Sequence, residues 1–128
     1  MKAALDDAGI PPEVVGYVNA HGTGTQANDP VECQAIREVF GGNGPAISST
    51  KSMHGHTLGA AGAMEAVATA LALRHGVLPP TANFTSQDPQ CPGDIVAGTG
   101  REQAIEYALS NSFAFGGLNA CLVLRRVS

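Results

Sequence analysis

The sequence predicts an α/β fold, a mixed β-sheet layered with helices, one of them a buried Ala-rich central helix. Three observations carry that prediction. Apolar runs at 14–22 and 46–50 end in small polar residues and lead into helical patterns. The segment 57–73 is built largely of Ala and Gly, with Glu65 its only charge. Residues 107–126, "YALSNSFAFGGLNACLVLRR", read as strand, glycine turn and strand.

Taken in order, a helix over 1–9 closes at Gly9 ahead of Pro11-Pro12. "VVGYVNAHG" (14–22) is a short strand running into a polar, glycine-bearing loop. Asp29-Pro30-Val31-Glu32 then has the spacing of an N-cap, a proline at the first helical position and a capping-box glutamate. That helix runs to Phe40 and stops at Gly41-Gly42. "AISST" (46–50) is a second strand, followed by a helix at 58–75 ending in Arg74-His75-Gly76. Residues 77–104 carry Pro79, Pro80, Pro89 and Pro92 among Asp and Gln, and predict an ordered loop region with little regular structure. The closing strands at 107–126 predict an antiparallel pair. The helix at 58–75 is apolar on every side, so the pattern requires burial on every side. A single layer cannot supply that, and the helix is expected to pack against something outside this chain.

The 128 residues suit one domain, with 44% hydrophobic and 14% charged residues, a globular composition. Eleven acidic and seven basic residues give a net charge of −4 with no basic block, which argues against nucleic acid or an anionic membrane as partner. Cys33, Cys91 and Cys121 show no C-x-x-C spacing, so the reading is a reducing, cytoplasmic setting without disulfides or a zinc ribbon. "MKAALDDAGI" reads as an amphipathic helix, not a secretory signal. The 57–73 run contains Glu65 and is too Ala- and Gly-rich for a good membrane span.

Polar residues gather at three strand ends: His21 with Thr23 and Thr25, Lys51 with His54 and His56, and Asn111 to Asn119 around Phe113 and Phe115. Sites in α/β folds form at the carboxyl ends of strands. "GHTLGAAG" invites a dinucleotide reading, but its spacing is Gly55-x-x-x-Gly59-x-x-Gly62 and not G-x-G-x-x-G. No G-K-[S/T] exists for a phosphate loop. A metal site using His21, His54 and His56 is conceivable, but H-x-H alone is a weak signal and no further ligand stands at zinc spacing from that pair. What remains is proton handling and oxyanion stabilisation, in which neutral imidazoles donate N–H bonds to a developing enolate beside a Lys–carboxylate pair.

The blander readings are specific too. Glu32 is accounted for by the capping box alone, and His54 reads as a partly exposed neighbour of the site. His75 reads as a helix-end residue, and Gly59 and Gly62 as permitting close helix packing.

"VNAHGTGTQANDPVE", "SSTKSMHGHTLGAAGAMEAV" and "ALSNSFAFGGLNACLVL", in this order, resemble the C-terminal half of a β-ketoacyl-acyl-carrier-protein synthase, covering essentially the whole chain. The resemblance is to the two-histidine type, the elongating synthase I/II branch and polyketide ketosynthases. It implies the C-terminal half of a thiolase-like fold over residues 1–128, with the 58–75 helix buried against its counterpart from the other half. It also implies an acyltransferase catalysing decarboxylative Claisen condensation of malonyl-acyl carrier protein with an acyl thioester, in fatty acid or polyketide synthesis. No cofactor is implied beyond the phosphopantetheine that carries the substrates on acyl carrier protein. By resemblance His21 and His56 are the catalytic histidines, Lys51 the active-site lysine and Glu32 the carboxylate paired with it. Thr23 and Thr25 match the threonines that contact the phosphopantetheine arm. Phe115, next to Phe113, matches a gating phenylalanine whose N–H joins the acyl oxyanion hole.

The family's nucleophilic cysteine lies in the N-terminal half, and Cys33, Cys91 and Cys121 do not match it. Leu118 stands where threonine is common in the family, and Ala114 where glycine is common. Met1 resembles an internal methionine of a longer sequence. The expected partners are therefore acyl carrier protein and an N-terminal synthase half or homodimer partner. The alternative reading is a non-catalytic fragment or subunit that needs a partner half.

Overall fold

A computed structural model describes residues 1–42 and 44–127. Its elements are α1 (Lys2–Ala8), β1 (Val15–Asn19), α2 (Asp29–Phe40), β2 (Ala46–Ser48), a one-turn α3 (Lys51–His54) and α4 (Ala61–His75). The two-residue strands β3 (Val77–Leu78), β4 (Asp94–Ile95) and β5 (Arg101–Glu102) follow, then β6 (Tyr107–Phe113) and β7 (Asn119–Arg125). One five-stranded sheet runs β4-β2-β1-β6-β7. Its first four strands are parallel and β7 lies antiparallel to β6, so the sheet is mixed as expected.

Strand periodicity divides the core into two layers. Tyr17, Ala46 and Ala108 face α4 and pack with its Ala72 and Leu73. Val18, Ile47 and Leu109 face the other way, toward Leu5 of α1 and Ile36 of α2. Helices thus cover both faces of the sheet. Gly16 sits where the pairing of β1 with β6 slips, and a Cβ there would lie 2.4 Å from Ile105 Cγ2. No other residue fits that approach.

Three boundaries differ from the sequence reading. The long helix begins at Ala61, because Leu58–Ala60 form a 3₁₀ turn ahead of it. Lys51–His54 form a helical turn directly after β2 that hydrophobic periodicity is too short to show. The 77–104 region contributes β4 as an edge strand beside β2 and pairs β3 with β5.

Within this chain α4 is buried along one stripe only: Ala61, Glu65, Thr69, Ala72 and Leu73. Its opposite side exposes Met64, Val67 and Leu71, with Val67 60% accessible. One sheet covers one side of a helix, so an all-apolar helix keeps a bare face. Close glycine packing holds for Gly62, where a Cβ would stand 3.3 Å from Ser112 Oγ. It does not hold for Gly59, which has no described neighbour within 4 Å of that position.

Candidate active site

The parallel register sets the site. Asn19 of β1 lies opposite Ser48 of β2 and Ser110 of β6. His21, Lys51 and Phe113 therefore leave the sheet at the same edge, the carboxyl end of its parallel strands.

His21 is held through its backbone. Glu32 Oε1 accepts from the His21 N–H at 2.9 Å and Oε2 from the Gly22 N–H at 2.8 Å. Asn28 Nδ2 and Asn111 Nδ2 also donate to the carboxylate, at 3.2 and 3.1 Å. Glu32 is buried at 3% accessibility, and four N–H donors replace its water. This corrects two expectations. No capping box forms, since the N-cap is Asn28 without a side-chain cap bond, and the Glu32 carboxylate accepts from the backbone of the His21 loop. Nor is Glu32 the partner of Lys51. A neighbouring acid completes the loop, as Asp29 Oδ1 accepts from the Gly24 N–H at 3.2 Å.

Lys51 pairs instead with Glu65, Nζ to Oε1, with both side chains buried. Glu65 Oε2 has no partner among the described residues. Around the pair, Asn19 Nδ2 reaches Thr50 Oγ1, Thr69 Oγ1 and the Glu65 carbonyl at 3.2–3.4 Å. The sequence reading passed over Glu65 as a mere interruption of an apolar helix. The signal was there: a lone acid in a buried run needs a partner, and Lys51 is the nearby cation.

The rings of His21 and His56 meet edge to face with centroids 5.4 Å apart, and the Phe113 ring lies 5.8 Å from His21. His21 is 8% accessible and its Nδ1 is buried with no described partner. Burial, then the Lys51 charge and His56, hold its pKa down at about 4, against a smaller upward pull from Asp29. His21 is therefore a neutral imidazole near pH 7. His56 is exposed, and its Nδ1 accepts the Leu58 N–H at 3.2 Å. An Nδ1 that accepts places the ring proton of His56 on Nε2, which makes no hydrogen bond among the described residues. Leu58 reaches that position with φ +51°, a left-handed conformation unfavourable for a leucine.

The other expected residues lie apart from the imidazoles to different degrees. Thr23 and Thr25 bond each other, Oγ1 to Oγ1, at 2.9 Å, and line a cavity of about 600 Å³ that Lys51 and His56 also border. Phe115 sits at the tip of the β6–β7 turn with its side chain fully exposed (103% accessible), so the geometry brings Phe113 to the histidines and leaves Phe115 outside. Burial and the neighbouring Cys91 thiol push the Cys33 thiol up to about 12, and burial raises Cys121 as well. Such thiols are poor thiolates. Among the described residues no three His, Cys, Asp or Glu side chains are grouped to hold a metal ion. Nor is any described helix long and apolar enough to cross a membrane.

Residues 1–85 match the model of the β-ketoacyl synthase C-terminal domain. The chain belongs to the β-ketoacyl synthase family. Its relatives within that family include the nodulation protein E of Rhizobium sp. strain N33, 53% identical over 99% of this chain and 32% of the relative. The 3-oxoacyl-[acyl-carrier-protein] synthase 2 of Coxiella burnetii is 54% identical, over 99% of this chain and 31% of the relative. Among solved structures, a β-ketoacyl synthase from Burkholderia phymatum STM815 superposes with a TM-score of 0.96 at 46% identity, over the whole chain and 31% of that protein. A type II polyketide acyl-carrier protein in complex with its ketosynthase superposes at 0.93 with 39% identity, covering 99% of this chain and 32% of the solved chain. The chain thus spans about a third of the β-ketoacyl synthases it matches, and its mixed sheet and central helix are those of the ketosynthase fold.

Proposed function

We propose that this chain supplies the decarboxylation half of a β-ketoacyl-acyl-carrier-protein synthase, acting on malonyl units carried by phosphopantetheine. The observation that carries the reading is the pair of imidazole rings 5.4 Å apart, one of them with its Nδ1 occupied by the Leu58 N–H. Loss of CO₂ from a malonyl thioester leaves negative charge on the thioester oxygen. N–H donors already aimed at that oxygen stabilise the enolate without reorganising. His21, kept neutral by burial and by Lys51, and His56 are the donors in this reading. Lys51 acts through its field and is held by Glu65. The enolate carbon then attacks an acyl thioester bound to a cysteine outside this chain, expelling that thiolate.

Thr23 and Thr25, hydroxyls on the rim of the 600 Å³ cavity, suit the amide groups of a phosphopantetheine arm. The bare Met64–Val67–Leu71 face supports the need for a partner half, since contiguous exposed apolar surface marks an interface. The partners proposed are acyl carrier protein and an N-terminal synthase segment. The proposed compartment is the cytoplasm.

The test joins the chain to an N-terminal segment bearing the cysteine and follows CO₂ release from malonyl-acyl carrier protein. His21→Ala and His56→Ala are expected to lower the rate by about a hundredfold or more each. Undiminished release in both variants would overturn the assignment. Release that needs no N-terminal segment would overturn the partner requirement.

A further inference from the structure

His54, one position from the glycine before His56, has no role in the scheme above. Its two ring nitrogens are nevertheless both engaged. Nδ1 lies 2.8 Å from the Gly55 carbonyl oxygen and Nε2 lies 3.3 Å from Thr50 Oγ1. A carbonyl only accepts, so Nδ1 carries the proton. At Nε2 the partner is the Thr50 hydroxyl, whose oxygen also donates to Asn19 Oδ1 at 3.3 Å.

The significance lies in what else holds Gly55. Its φ of +76° and ψ of 175° are open to glycine and costly for other residues. No described atom comes within 4 Å of where its Cβ would be, so packing does not fix it. Its N–H is tied to the Lys51 carbonyl at 2.8 Å, and among the described residues the His54 ring is the one partner of its C=O. That C=O belongs to the peptide that starts His56. At its other end, His54 reaches Thr50, whose side chain is bonded into Asn19 of β1 and through it to the backbone of Glu65.

We propose that His54 is a positioning residue: it fixes the Gly55–His56 peptide against the buried Asn19–Thr50 network and so keeps His56 within reach of the Leu58 N–H. The inference rests on the decarboxylation reading for its effect on rate, but not for its effect on the His56 ring. With the peptide untied, a glycine backbone regains a rotation. His56 Nδ1 leaves the Leu58 N–H part of the time, and the ring then samples both neutral tautomers. Freeing one backbone residue corresponds to about a five- to thirtyfold loss of the competent arrangement.

The experiment uses this chain joined to an N-terminal synthase segment bearing the cysteine, with ¹⁵N-labelled histidine. In the parent, His56 is expected as a single Nε2–H tautomer with Nδ1 shifted as an acceptor. His54→Ala is expected to move the His56 nitrogens toward an average of the two tautomers. It should also lower kcat for CO₂ release about five- to thirtyfold, with KM for malonyl-acyl carrier protein changed less than about twofold. His54→Asn, whose amide can still donate to the Gly55 carbonyl, is expected to restore both. Unchanged His56 nitrogens in His54→Ala overturn the proposal, whatever the rate does. A moved tautomer with no CO₂ release from the parent overturns the decarboxylation reading and leaves the positioning role standing. A lowered urea midpoint with unmoved His56 nitrogens marks His54 as merely structural and also overturns it.

Discussion

Replacing Lys51 by methionine puts the buried ion pair to a quantitative test. Lys51 and Glu65 are 4% and 0% accessible, and among the described residues neither forms another salt bridge. Methionine keeps most of the lysine stem's volume but leaves an ionised carboxylate buried without its cation. Removing one member of such a pair costs about 3–5 kcal/mol, whereas replacing both by uncharged residues is often neutral. Domains of this kind are stable by roughly 5–15 kcal/mol, so the single variant loses a large part of the total. Adding Glu65→Gln to Lys51→Met should then return at least about 2 kcal/mol, because no charge is left to solvate. Urea unfolding followed by far-UV circular dichroism reads each corner of the cycle. The same cycle with Glu32 separates the two candidate partners. Glu32→Gln with Lys51→Met should be additive within about 0.5 kcal/mol, since the two groups share no bond. The reasoning fails if Lys51→Met costs less than about 1 kcal/mol, or if Glu32→Gln restores what Glu65→Gln does not.

Glu32→Gln on its own replaces one carboxylate oxygen with an NH₂ that faces N–H donors. It should cost about 2–4 kcal/mol and speed hydrogen exchange at the His21 and Gly22 amides, read by NMR. The pKa of His21 lies at about 4, below the 6.5 of an unperturbed imidazole, so the unfolded state takes up the proton first as pH falls. The associated stability is complete above about pH 6.5 and is lost between 6.5 and 4; His21→Asn should flatten thermal stability across that window. Gly22→Ala should cost more than 2 kcal/mol by thermal melting, since its Cβ would stand 2.5 Å from Ser49 Cβ at φ +38°. Gly59→Ala, with open space around it, should stay within about 0.5 kcal/mol.

Local patterns carried the architecture of this chain. The apolar run in "VVGYVNAHG" marked β1, glycine closed α1 and α4, and the FGG turn between apolar runs marked the β6–β7 pair. Such features depend on residues within one or two turns of each other, so a one-dimensional reading captures them. The ordered motifs likewise pointed to the β-ketoacyl synthase family, which the match over residues 1–85 shows. The pairings of charge were decided elsewhere. Glu32 had an obvious local use as a capping box, yet the orphan N–H groups of the His21 loop, eleven residues upstream, took its carboxylate. Lys51 found Glu65 fourteen positions later because β2 and α4 bring them together in a place water does not reach. Buried ions take whichever opposite charge the fold brings within reach, and that is a property of three-dimensional neighbours. The tautomer of His56 and the tie from His54 to Gly55 belong to the same class. They rest on hydrogen-bond directions that exist only once the loop after β2 has folded.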